Sequence, residues 1–314
     1  MLKLLTFARL HLALILPLAS VNLYAAELAY AGYKAVAGGK LYYQTFGSKG
    51  ENIVVLHGGL GLDSSYLLPQ MAKLALTNKV TFYDQRGCGK SLGFALTPEN
   101  INLESFINDL ETLRQQLGFE KFTLIGHSLG GLLAMNYAIA YQQHLNALIL
   151  LNSAPATSSG FKIFLKEHAK RTAPLQNELD LITNSPAYKY GQPAARTNFL
   201  RKLFAAYFYK PAAVNKLSLN FTPGGAISGS KVAELLVANY LTDYDVSAGL
   251  KTLTLPVLIV HGKNDIVPLA TAYEIKALLV NAQLVVIPKC DHFPYIEQPL
   301  SFFKTLDEFL NKNK

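Results

Sequence analysis

Phe122-Thr123-Leu124-Ile125-Gly126-His127-Ser128-Leu129-Gly130-Gly131 is the stretch whose reading decides the fold. Residues 122–126 (FTLIG) form a short, unbroken apolar run, as expected of a strand covered on both faces. Residues 129–141 continue as a helix that is apolar nearly all round, the mark of a buried helix. Between them lies G-x-S-x-G, a sharp strand-to-helix turn that raises a serine hydroxyl above the sheet. A side chain at 126 or 130 would crowd that turn, which accounts for glycine at both positions. The helix N-terminus beside Ser128 also favours negative charge developing there.

Outward from this turn the same alternation repeats. Residues 40–46 (KLYYQTF), 53–57 (IVVLH), 80–84 (VTFYD), 147–152 (ALILLN), 256–261 (PVLIVH) and 283–287 (QLVVI) read as strands, and most stop at a turn signal. Leu103, Phe106, Ile107, Leu110, Leu113 and Leu117 recur at helical spacing, and residues 270–279 and 300–310 also read as helices. The pattern predicts an α/β fold, with a mostly parallel central sheet flanked by helices. Between 154 and 251 it breaks into a helix-like, aromatic stretch interrupted by Pro174, Pro186, Pro193, Pro211 and Pro223. The expected organisation is a core made of 27–153 and 252–314, with 154–251 as an inserted helical cap. Residues 1–26 carry Lys3 and Arg9, an apolar run at 12–19 and small residues at Ala25-Ala26. They read as a secretory signal cleaved near Ala26, so the protein is expected to be exported to a periplasm or outside the cell. A retained N-terminal anchor is the alternative. The apolar run is far short of the ~20 residues a stable membrane span needs.

A serine is a poor nucleophile without a base, and the base needs an orienting acid. Asp265 ends His261-Gly262-Lys263-Asn264-Asp265, just past one predicted strand, and His292 lies in Cys290-Asp291-His292-Phe293-Pro294, just past the last. Loops beyond strand C-termini gather at one sheet edge, where ligands bind. Ser128, Asp265 and His292 are therefore the candidate catalytic residues. The N–H of Leu129 and that of Gly59, in His57-Gly58-Gly59-Leu60-Gly61, are the candidate oxyanion donors. Asp291 is read as a turn residue, His127 as pointing away from substrate and His261 as packed. The strand end at Asn152-Ser153 offers no carboxylate.

The 314 residues carry a net charge of +8, and half are hydrophobic against 16% charged, which excludes a disordered polymer. The basic residues are scattered, without an aromatic-interleaved stripe, so no nucleic acid partner is expected. Cys88 and Cys290 are too few for a disulfide scaffold or a zinc site, and whether they pair is open. Gly89-Lys90-Ser91 ends like a phosphate loop, but Asp84 stands where its first glycine belongs, and Ser64 replaces the third glycine of a dinucleotide fingerprint. No metal or cofactor is implied. The expected partner is a small peptide or ester substrate; the oligomeric state is not legible.

Together these residues resemble the α/β-hydrolase superfamily over most of 40–310. Within it, His57-Gly58-Gly59 and Asp84-Gln85-Arg86-Gly87-Cys88-Gly89-Lys90-Ser91 are similar to the prolyl aminopeptidase (proline iminopeptidase) family, whose signature reads D-Q-R-G-C-G-R-S. The resemblance implies removal of an N-terminal residue, preferably proline, through an acyl-enzyme beneath a helical cap. It places Ser128, Asp265 and His292 as the triad and Gly59 and Leu129 as oxyanion donors. Leu60 stands in place of the family's proline, and G-H-S-L-G in place of its usual G-G-S-W-G. The family's amine-binding cap glutamate falls near Ala238, where there is no acid; Glu234, Asp243 and Asp245 lie nearby. A carboxylesterase with the same triad is the alternative activity, and a catalytically silent binding protein on this fold is the alternative class.

Overall fold

The computed structural model describes residues 26–313 except Leu60. Residues 1–25, which carry almost all of the expected signal, lie outside the described residues. Among those described, no helix is long and apolar enough to cross a membrane.

The described residues form one eight-stranded sheet: β1 (Leu28–Val36), β2 (Gly39–Phe46), β3 (Asn52–Leu56), β4 (Lys79–Tyr83), β5 (Phe122–His127), β6 (Leu145–Leu151), β7 (Val257–Gly262) and β8 (Ala282–Ile287). Their spatial order is β1-β2-β4-β3-β5-β6-β7-β8, with β1 and β2 antiparallel to their neighbours and every other pair parallel. The unbroken apolar runs follow from double coverage. Along β3, Val54 and Leu56 face one core with the helices Leu103–Gln116 and Leu129–Tyr141, while Ile53 and Val55 face the other with Phe302 and Leu306 of the helix Pro299–Lys312.

Strand β1 is not among the strands predicted from sequence. It is an edge strand, with most of its residues exposed, so it carries no continuous apolar run. Its pairing with β2 through the Ala37-Gly38 turn, with Gly38 at φ 80°, defines it instead.

Between β6 and β7 the chain is helical, including Ser158–Thr172, Pro193–Phe204 and Pro223–Leu236, with a π-helical turn at Val237–Leu241. Its prolines act differently from the expected interruptions: Pro186, Pro193, Pro211 and Pro223 stand in the first turns of their helices. There the missing N–H has no intrahelical role and the fixed φ suits the helix.

Candidate active site

The turn after β5 holds Ser128 at φ 55°, ψ −123°, a conformation L-residues rarely adopt. Packing enforces it. A Cβ at Gly126 would run into the Gly130 carbonyl, and one at Gly130 into the carbonyls of Leu56 and His57. The crowding expected at 126 thus arises within the turn, and that at 130 from its contact with the end of β3. Ser128 faces a cavity of about 370 Å³ whose wall also includes Gly59, Leu129 and His292. Leu129 opens its helix, so its N–H has no intrahelical acceptor.

Asp265 and His292 meet. His292 Nδ1 lies 2.8 Å from Asp265 Oδ1, and both residues are buried. A carboxylate only accepts, so Nδ1 carries the proton in this pair, and Nε2 is left for the cavity. No hydrogen bond joins Ser128 Oγ to His292 here; the two share the cavity wall. Asp265 Oδ2 accepts from Asn152 Nδ2 at 2.6 Å. Burial pushes the Asp265 carboxyl up, but the charges of His292 and His261 and these hydrogen bonds outweigh it and hold it below the ordinary range.

His127 supports the site through its neighbours, as its place before Ser128 suggests, but it does not point wholly away, because it also forms part of the cavity wall. Its ring lies 4.9 Å from that of His292, centroid to centroid. Burial, then the His292 charge, pushes it down to about 3, so it is a neutral imidazole. One nitrogen then donates and the other accepts, which orders a chain. The Gly58 N–H donates to Tyr66 Oη at 2.7 Å, the Tyr66 hydroxyl to His127 Nδ1 at 2.7 Å, and His127 Nε2 to the His292 carbonyl at 2.9 Å. This chain ties the Gly58-Gly59 loop, the serine turn and the imidazole into one unit. Tyr66 had no sequence motif to mark it.

Asp291 is more than a turn residue. Its Oδ1 accepts from the Ile266 N–H at 2.8 Å, and its Oδ2 pairs with Arg171 Nη1 at 2.6 Å. Arg171, on the helix Ser158–Thr172, also donates from Nη2 to the carbonyls of Asn264 and Asp265. It clamps the helical segment to both loops that carry the acid and the imidazole. His261 is packed as expected, with Nε2 2.8 Å from the Val267 carbonyl. Cys88 and Cys290 are both free and buried.

The stretch 84–91 does not reach the cavity; it braces the loop that does. Asp84 Oδ1 accepts from Ser64 N and Oγ, and its Oδ2 from Lys90 N. Gln85 brackets His57, its N–H donating to His57 Nε2 and its Nε2 to the His57 carbonyl. Arg86 is held by a bidentate pair with Asp109 at 2.7 and 2.6 Å. Nor do the acids near 238 enter: Glu234 is exposed and paired with Lys231, and Asp245 caps Ser247 at the surface. Among the described residues, no Asp or Glu lines the cavity, and its one fixed cation is Arg196. No three His, Cys, Asp or Glu side chains among them converge as metal ligands.

A family model described as alpha/beta hydrolase fold matches residues 51–299. The chain is 28% identical over 295 residues to a proline iminopeptidase of Saccharolobus solfataricus, covering 90% of this chain and 92% of that protein. Among solved structures, a proline iminopeptidase-related protein from Thermus thermophilus superposes with a TM-score of 0.69 at 22% identity, over 90% of this chain and 97% of that one. A thermophilic esterase from Thermogutta terrifontis gives 0.66 at 22%, over 91% and 99%. At those identities the structures speak for the fold alone.

Proposed function

The chain belongs to the α/β-hydrolase family, and from that premise we propose that it is a serine hydrolase that forms an acyl-enzyme on small substrates with an apolar acyl group. The observation that carries this reading is Ser128, held at φ 55° and facing a cavity shared with an imidazole whose far nitrogen is fixed by a buried carboxylate.

In this mechanism His292 Nε2 takes the Ser128 proton as Oγ attacks the substrate carbonyl. The electron pair moves to the carbonyl oxygen, which the N–H groups of Gly59 and Leu129 receive. Asp265 holds the ring and stabilises its cation without itself taking the proton. The tetrahedral species collapses, the leaving group departs with the proton from His292, and the acyl group stays on Ser128. Water then repeats the sequence, with His292 as base, and releases the acid.

An ester with an apolar acyl chain suits a wall without carboxylates. A free substrate amine would enter it with no anion to meet and would have to be desolvated there. The proline iminopeptidase reading is the second one, supported by the signature at 84–91 and by the relatives of that name. The signature supports it less than its length suggests, because 84–91 brace a loop and none of them lines the cavity that holds Ser128. Parallel assays of short-chain aryl acyl esters and prolyl arylamides, with wild type and Ser128→Ala, test both. Covalent labelling of Ser128 by a fluorophosphonate is expected. Absence of labelling, with equal rates for the two proteins on every substrate, would remove the serine mechanism.

A further inference from the structure

Arg196 sets a guanidinium into the wall of the cavity that holds Ser128. It stands on the helix Pro193–Phe204 and is 9% exposed. Its Nη1 donates to Tyr188 Oη at 2.6 Å, while its buried Nε has no hydrogen-bond partner. No carboxylate among the described residues pairs with it; the rings of Tyr188 and Phe199 lie 5.9 and 5.8 Å from Cζ. Buried charges are normally paired, and contact with two aromatic faces offsets only part of the cost of leaving water. A guanidinium is also a planar fork shaped to hold a carboxylate through two parallel hydrogen bonds. With Nη1 engaged by Tyr188 and Nε shut off from the open space of the cavity, Nη2 is the nitrogen left to receive an anion.

We infer that Arg196 is a specificity-determining residue and that the natural substrate is an acyl compound whose apolar chain ends in a carboxylate. The apolar wall takes the chain, and the guanidinium of Arg196, through Nη2, takes the anion. The same charge repels a substrate ammonium, so it acts against amine-bearing substrates as well as for anionic ones. This inference rests on the hydrolase reading for the reaction, but not for the binding.

The test therefore separates binding from turnover. Full-length Ser128→Ala is titrated calorimetrically at pH 8 with octanoate and with 1-octanol, which share a chain and differ in the charged head. Octanoate is expected to bind tenfold or more tightly than octanol. Adding Arg196→Gln should bring the two to parity while changing octanol less than threefold. Arg196→Lys, which keeps the charge and loses the fork, should retain part of the preference and serves if the Gln variant does not fold. Equal affinities in the presence of Arg196, or an octanoate preference that survives Arg196→Gln, would overturn the inference. In turnover by the Ser128 enzyme, monomethyl octanedioate should exceed methyl octanoate in kcat/KM, and Arg196→Gln should reverse that order. A chain that resists fluorophosphonate labelling yet keeps the Arg196-dependent octanoate preference would refute the hydrolase reading and leave the anion site standing.

Discussion

Asn152 reaches from the end of β6 and donates its side-chain amide to Asp265 Oδ2 at 2.6 Å, opposite the oxygen that meets His292. The same amide donates to the Asp291 carbonyl at 2.9 Å, so one side chain gathers the acid and the loop that carries the imidazole. Asn152 is left-handed, at φ 44°, a conformation that asparagine tolerates better than most residues.

Asn152→Ala removes both hydrogen bonds from a fully buried site, and one of them ends on a charged oxygen. The expected cost is about 2 kcal/mol of stability, with a clear fall in kcat and little change in KM, since Asn152 does not line the cavity. Urea unfolding and steady-state ester hydrolysis check this. A loss confined to KM would contradict the positioning role.

Ser128, the proposed nucleophile, has an unfavourable backbone. Ser128→Ala should lower turnover by several orders of magnitude while keeping the strain. Ser128→Gly should be equally inactive but more stable than the Ala variant by about 1 kcal/mol, because only glycine adopts this φ without penalty. Paired denaturation curves decide it; an Ala variant as stable as the Gly variant would mean that the turn stores no strain.

The parallel part of the sheet and the serine turn were legible because both depend on local pattern: unbroken apolar runs for doubly covered strands, and glycines where one backbone crosses another. Asp265 and His292 were legible through topology, since each follows a strand of one parallel sheet. What escaped was set by partners distant in the chain. Tyr66 lies 61 residues from His127, and Arg171 lies 120 from Asp291. Nothing in their own neighbourhoods distinguishes them from packing or surface residues. Asp291 is in the same position, since nothing beside it in the chain announces Arg171 or the Ile266 N–H. The stretch 84–91 was legible as a resemblance, but its work, holding the Gly58-Gly59 loop, belongs to contacts that no spacing shows.

Arg171 is the clamp between the helix Ser158–Thr172 and the loops behind His292. Arg171→Ala leaves Asp291, 3% exposed, without its cation, and unpairing a buried charge costs more than the pair itself contributes. A destabilisation of about 3 kcal/mol is expected, together with reduced kcat as the loop at 264–265 loosens. Asp291→Asn in the same background should recover part of the stability. If the double variant is no more stable than Arg171→Ala, the cost does not come from the stranded carboxylate.

Asp63 offers a test of pH dependence beside the Gly59 loop. It is 6% exposed, and its Oδ1 accepts from the Ser65 N–H at 2.9 Å, capping the turn Ser64–Tyr66. Burial first, and then the nearby Asp84 charge, pushes its carboxyl up to about 6 from 3.8. The folded state therefore holds this proton more tightly than the unfolded chain does. Stability from the protonated acid is complete below about pH 4 and is lost as pH rises through 6. Asp63→Asn keeps the capping acceptor without the charge, since asparagine caps as well as aspartate. Relative to wild type, the variant should gain about 2 kcal/mol more at pH 8 than at pH 4.5. Urea unfolding of both proteins at the two pH values measures the difference. A gap that is constant with pH would show that Asp63 titrates in the folded state as an ordinary exposed carboxylate, and one larger in acid that the fold favours its charged form.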